Sequence, residues 1–216
     1  MEKIVLASGN KKKLAELQNL LMPLNIEVVA QSEFDVPEAD ETGTTFVENA
    51  IIKARNACKH TGLPAIADDS GIQVSALRGA PGVFSARFAG VDASDDKNNK
   101  LLVELLSDMP DVNRDARYVA VLVLMQHEDD ATPIICQGTW EGEIVLEPQG
   151  DQGFGYDPHF LVPEKGCTAA QLPPQEKNAI SHRGKAMAVL LEQLNSEQRH
   201  QSPRQGNGGA IGAVEQ

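Results

Sequence analysis

Three observations in the sequence predict an α/β fold. The opening run Lys3-Ile4-Val5-Leu6-Ala7 is apolar enough for a buried strand and passes at once, through Ser8-Gly9-Asn10, into a segment of helical periodicity. Strand and helix patterns keep alternating over the residues that follow. Further on, Tyr118, Val119, Val121, Val123 and Leu124 are almost continuously apolar, the signature of a strand covered on both faces.

The elements follow in order. Leu14, Leu17, Leu20 and Leu21 fall on one helix face, with Asn10 as its cap and Pro23 as its stop. A strand is expected at residues 26–30. Thr45-Phe46-Val47-Glu48 has the spacing of a capping box, so a second helix starts there, with Val47, Ala50, Ile51, Ala54, Ala57 and Cys58 as its apolar stripe and Gly62 as its end. Glu48, Asn49, Lys53, Arg55 and Asn56 lie largely off that stripe. The apolar stretch Pro64-Ala65-Ile66-Ala67 reads as a strand that ends in an acidic turn, Asp68-Asp69-Ser70-Gly71, with a returning strand at residues 72–77. Residues 79–90 form a Gly/Pro-interrupted loop, and residues 95–106 a helix capped by Ser94 or Asp95. Strands are expected at 116–126, 134–140 and 142–146, with Glu128-Asp129-Asp130 in a turn. The last elements are a strand at 159–162 and a helix at 186–194 behind Ser181. Residues 1–195 read as one domain; residues 196–216 are Gln- and Gly-rich and read as a disordered tail with no catalytic role.

Four clusters carry chemistry. At a strand end, Asp68-Asp69-Ser70-Gly71 can hold a hard cation, and one carboxylate can take a proton from water; a self-capping Asp-Ser-Gly turn explains the same residues. Ser8-Gly9-Asn10-Lys11-Lys12-Lys13 gives a phosphate the backbone N–H groups of a helix start, with lysines adding full charge, though a solvated basic helix start has the same composition. It is neither a Walker loop nor a GxGxxG turn. In Gly153-Phe154-Gly155-Tyr156-Asp157-Pro158 the glycines admit a flat ligand, Phe154 or Tyr156 can stack on a base, and Asp157 can accept from ring N–H groups; an aromatic turn before a strand is the alternative. Finally, Ser181 caps a helix whose first turn carries His182 and Arg183, cations at the end that favours anions, which suits an incoming anion or carbonyl-rich ligand better than a structural placement. Lys53 can neutralise phosphate oxygens from the side opposite residues 8–13, or pair at the surface with Asn49 or Asp40.

Taken together, Ser8-Gly9-Asn10 with Lys13, the stretch from Glu41-Thr42-Gly43 to Lys53, Ala67-Asp68-Asp69-Ser70-Gly71, Gly79-Ala80-Pro81-Gly82 with Ser85-Ala86-Arg87, Phe154-Gly155-Tyr156-Asp157-Pro158, and Glu176-Lys177 with Ser181-His182-Arg183 resemble the Ham1/RdgB family of nucleoside triphosphate pyrophosphatases over residues 1 to about 195. The resemblance implies a long central mixed sheet flanked by helices, two lobes with a deep cleft between them, and a homodimer. It also implies Mg²⁺-dependent cleavage of deaminated purine triphosphates (inosine, xanthosine and their deoxy forms) to monophosphate and pyrophosphate. On that resemblance Asp69 is the proton acceptor and a magnesium ligand. The pair Asp40 and Glu41 supplies the other acidic ligand, Glu41 being favoured. Residues 8–13, Lys53, Ser70, Phe154, Gly155, Tyr156, Asp157, Lys177, His182 and Arg183 bind substrate. Water activated by Asp69 then attacks the α-phosphorus in line with the leaving diphosphate. Hypoxanthine and xanthine present a 6-oxo acceptor, so backbone N–H groups or the donors of His182 and Arg183 favour them, whereas adenine sets donor against donor. Rejection of guanine rests on the resemblance alone.

Composition bounds the alternatives. The 216 residues, 41% hydrophobic and 23% charged, suffice for a sizeable core. No signal peptide and no apolar run near ~18 residues is read, so neither secretion nor a membrane span is expected. Cys58, Cys136 and Cys167 lack metal spacing and fit reduced thiols in the cytoplasm. The net charge of −12 argues against a nucleic-acid surface. It also repels a triphosphate at long range, so lysines and a divalent ion must reverse the potential locally. Two other functions compete: a broader triphosphatase releasing orthophosphate, and a nucleotide sensor without turnover, against which Lys13, Glu41, Lys53 and Asp69 speak together.

Overall fold

Seven strands form one sheet, ordered β2-β1-β3-β4-β5-β6-β7, in a computed structural model that describes residues 2–109 and 111–201. The strands are β1 (Lys3–Leu6), β2 (Glu27–Ala30), β3 (Ala65–Val74), β4 (Asp115–Met125), β5 (Ile134–Ile144), β6 (Phe160–Val162) and β7 (Cys167–Thr168). The helices are α1 (Lys11–Leu21), α2 (Phe46–Thr61), α3 (Asp95–Ser107), α4 (Pro174–Ile180) and α5 (His182–Gln201). β1 runs parallel to β2 and β3, and every later pairing is antiparallel, so the sheet is mixed as expected.

The structure departs from the expected elements at several places. The acidic turn does not exist: β3 continues through Asp68, Asp69, Ser70 and Gly71, each paired in register with β4 at Leu122, Val121, Ala120 and Val119. The backbone ladder is indifferent to polar side chains, and this stretch can stay polar because β1 pairs with β3 only at Ala65 and Ile66 before turning away. The strands expected at 134–140 and 142–146 are likewise one strand, β5, while residues 75–77 form a 3₁₀ turn rather than strand. The short α4 carries no apolar period and was not anticipated. α5 continues past Asn195 to Gln201, so the helix takes the first part of the expected tail; residues 202–216 lie outside the described residues.

Alternation along β3 decides the geometry of the site. Ile66 packs on the face covered by Leu17 and Leu21 of α1 and Ala186, Leu190 and Leu194 of α5. Ala67 packs on the opposite face, against Phe46, Ala50, Ala54 and Ala57 of α2. With a period of two, Asp68 emerges toward α1 and α5 and Asp69 toward α2. A third cluster beyond them gathers Ile72, Tyr118, Trp140 and Phe160 with Leu102 and Leu106 of α3.

α5 comes close to the sheet because Gly138 on β5 lies beneath its first turn, where a Cβ would stand 2.7 Å from Ala186 N and 3.0 Å from Lys185 Cβ. Gly138→Ala is therefore expected to lower unfolding free energy by about 1–3 kcal/mol, measured by urea titration, because α5 must lift to admit the methyl.

Candidate active site

Local chemistry places each group. Asn10 caps α1, its Oδ1 accepting from Lys12 N (2.9 Å) and Lys13 N (3.2 Å), which starts the helix where β1 ends and aims Lys13 across β3. The Lys13 ammonium lies 2.5 Å from Asp68 Oδ1, and Arg183 Nη2 lies 2.5 Å from Asp68 Oδ2. Asp68 is only 3% exposed. Burial alone would push its carboxyl up, but Lys13 and Arg183 outweigh that and hold it below the usual carboxylate range.

On the other face, Thr45 and Glu48 form the expected capping box that starts α2, and Gly62 in the left-handed conformation ends it. Lys53 on this helix donates to Asp69 Oδ1 (2.9 Å) and pairs with Glu41 Oε1 (3.0 Å), while Arg87 Nη1 stands 3.5 Å from Glu41 Oε2. Burial raises the Asp69 carboxyl more than Lys53 lowers it, and the Glu41 charge adds to the rise. Lys53 shifts upward, because its two carboxylates outweigh its burial. Asp69 Oδ2 is buried with no hydrogen-bond partner. Asn49, placed off the apolar stripe from sequence, is fully buried, and its Oδ1 accepts from Gly43 N (2.9 Å), anchoring the loop that carries Glu41.

These groups line a cavity of about 380 Å³ that includes Ser8, Gly9, Asn10, Lys13, Glu41, Lys53, Asp68, Asp69, Ser70 and Arg87. Asp40 is exposed and does not line it, which favours Glu41 of the pair. A second cavity of about 610 Å³ shares Asn10, Lys13, Ser70 and Ala86 with the first, so the two adjoin. Its walls hold Phe154, Gly155, Tyr156, Asp157, Lys177, His182 and Arg183, and also Lys11 and Lys12, which border this cavity rather than the first.

Several side chains do other work there than the sequence suggests. Phe154 is 64% exposed and keeps its ring open, with the Lys177 ammonium 4.9 Å from the ring centroid. Tyr156 is not a free stacking face: it is buried and donates its hydroxyl to Ser85 O at 2.7 Å. Asp157 is also buried, accepting from Lys177, Phe154 N (2.8 Å) and Tyr118 OH (3.3 Å), which makes it an anchor of this loop. Arg183 is committed to Asp68. Lys53 is no surface lysine, since it pairs with neither Asn49 nor Asp40. Sequence reasoning missed Asp68 as the partner of two cations and Arg87 as the neighbour of Glu41. Period-two alternation would have found the first, had residues 68–71 been read as strand.

His182 stacks on Tyr118, centroids 4.7 Å apart, with a buried Nδ1 that has no partner. Burial first, then the charges of Arg183 and Lys177, pull its pKa down to about 3. The ring is therefore neutral when folded, and between the unfolded value near 6.5 and about 3 the unfolded chain binds the extra proton. Stability is expected to fall as pH drops through that window, by up to about 1.4 kcal/mol per pH unit from this group. His182→Gln should flatten that part of a urea-midpoint profile against pH.

The family model described as Ham1 family matches residues 4–193. A dITP/XTP pyrophosphatase of Nitrosomonas europaea is 59% identical over 198 residues, 92% of this chain and 97% of that protein. One from Vibrio cholerae is 57% identical over 197 residues, 91% of this chain and 98% of that protein. Among solved structures, a HAM1 protein from Coxiella burnetii superposes with a TM-score of 0.89 at 56% identity, covering 91% of this chain and all of that one. With a family model matching residues 4–193 and relatives of this identity, the chain belongs to the Ham1 family.

Proposed function

We propose that this protein hydrolyses deaminated purine nucleoside triphosphates, dITP, ITP and XTP, to the monophosphate and pyrophosphate, clearing them from the nucleotide pool. The observation that carries the reading is a cavity where Asp69, Glu41, Lys53 and Lys13 converge, adjoining a second one that presents the exposed Phe154 ring. Relatives that share more than half of this chain's residues are named dITP/XTP pyrophosphatase, which supports the same assignment.

The donor set fits Mg²⁺. Asp69 and Glu41 meet at one ammonium, a point that draws positive charge, and Asp69 Oδ2 is buried with no partner in the protein. Among the described residues no group of three or more His, Cys, Asp or Glu gathers. A pair suffices for a cation that keeps waters and takes its other ligands from phosphates. When bound, Mg²⁺ polarises the phosphoryl oxygens and offsets charge on the departing pyrophosphate.

The chain's own residues do the rest. Asp69 takes the proton of the water that attacks the α-phosphorus. Lys13 and Lys53 approach from opposite faces of β3, so the polyphosphate lies over the strand with an ammonium on each side. The N-terminus of α1 adds the positive end of its dipole, the Lys12 and Lys13 N–H groups being taken by the Asn10 cap. At the other end the purine stacks on Phe154, and backbone N–H groups with neutral His182 meet the 6-oxo acceptor. Adenine would set its amino donor against those donors. We take the working form to be a cytoplasmic homodimer.

The test is one assay of a nucleotide panel with product analysis, with and without Mg²⁺. Pyrophosphate release from inosine and xanthosine triphosphates, absent without the metal and far slower for adenosine triphosphate, is expected. Orthophosphate as the product, or tight binding without turnover, would replace this reading.

A further inference from the structure

We propose that Asp95 and Asn99, at the start of α3, are positioning residues for base recognition: they clamp Gly155 and so fix the Phe154 ring. The inference rests on the reading above, in which that ring is the stacking platform. Gly155 N donates to Asp95 Oδ2 at 2.6 Å, and Asn99 Nδ2 donates to Gly155 O at 2.8 Å. Both backbone polar groups of this one loop residue are thus held by side chains one helical turn apart. Phe154 N is taken by Asp157 Oδ2 at 2.8 Å. Gly155 sits at φ +63°, a conformation that costs glycine nothing but has no regular ladder to support it. The support comes from α3 instead.

That helix is a firm base. Ser94 caps it by accepting from Lys97 N at 3.3 Å, and Leu102 and Leu106 are fully buried in the cluster with Tyr118 and Phe160. Asn99 is 9% exposed and makes its bond to Gly155 largely out of water, where it is worth more than at the surface. Asp95 is exposed and borders the second cavity, and its charged bond to an N–H is the stronger kind. Nothing in α3 borders the first cavity, so the clamp acts on the base end alone.

The test compares wild type, Asp95→Ala, Asp95→Asn and Asn99→Ala in steady-state kinetics with inosine and adenosine triphosphates, together with competitive inhibition by inorganic tripolyphosphate, which has no base. Asp95→Ala should raise KM for inosine triphosphate about ten-fold, with kcat within about two-fold, and cut the preference over adenosine triphosphate by a similar factor. Asn99→Ala should do the same. Asp95→Asn keeps an acceptor for Gly155 N and should recover most of the loss. The tripolyphosphate inhibition constant should stay constant throughout. Because Asp95 is exposed, its variants fold even if Asn99→Ala does not. Equal weakening of both nucleotides and tripolyphosphate, or unchanged selectivity in Asp95→Ala, overturns the clamp. A wild type that shows no purine preference overturns the underlying functional reading as well, so the two failures are distinct.

Discussion

Asp69→Asn is expected to lower kcat for inosine triphosphate by at least about 10³-fold while the affinity for a non-hydrolysable α,β-imido analogue changes little. The substitution keeps the shape of the side chain and an oxygen that can accept from Lys53, which now lies 2.9 Å from Oδ1. It removes the proton acceptor and one of the two carboxylates proposed for the cation. Loss in the chemical step and retention of binding is the signature of an interaction used only in the transition state. Single-turnover kinetics with pyrophosphate detection measures the first, and fluorescence titration of the analogue the second. A variant turning over within ten-fold of wild type would take the base role from Asp69. Equal loss of binding and rate would make the residue a ground-state contact. Folding should survive, since the carboxyl is already raised by burial and a neutral amide at this position spares a desolvated charge.

The amphipathic start of the chain and the capping box at Thr45 were legible because both are local: Asn10, Pro23, Glu48 and Gly62 act on backbone groups a few residues away. Convergence was legible only through separated motifs, and its details were not. Composition shows that Asp157 and Tyr156 can bond, not which bonds are already made; Lys177 and Ser85, distant in sequence, claim them first. The misreading of residues 68–71 as a turn has the same root. Asp, Ser and Gly are disfavoured in strands on average. Here ten paired positions on β4, almost all apolar, overrule that local preference. Once the strand is recognised, its alternation hands the two aspartates to different helices and different tasks.

The second large effect falls on Asp68, and it is one of stability. Asp68→Ala should lower unfolding free energy by about 3 to 5 kcal/mol, because it strands the Lys13 ammonium and the Arg183 guanidinium, each 2.5 Å from the lost carboxylate and both largely buried. Arg183 has a second acid only at 3.5 Å, on Glu16, without hydrogen-bond geometry, so no nearby group takes over. In wild type the depressed Asp68 carboxyl contributes stability that is complete above the ordinary aspartate range and is lost as pH falls through it and below. The variant's urea midpoint should lack that component of acid loss. Lys13 borders the cavity proposed for the triphosphate and both cations border the one beside it, and this gives the prediction its sharper form. A bound polyphosphate restores the missing negative charge, so saturating tripolyphosphate should raise the midpoint of Asp68→Ala more than that of wild type. If the anion stabilises both equally, Lys13 and Arg183 do not reach it, and Asp68 is a tie between α1, β3 and α5 with no part in preparing the cations for substrate.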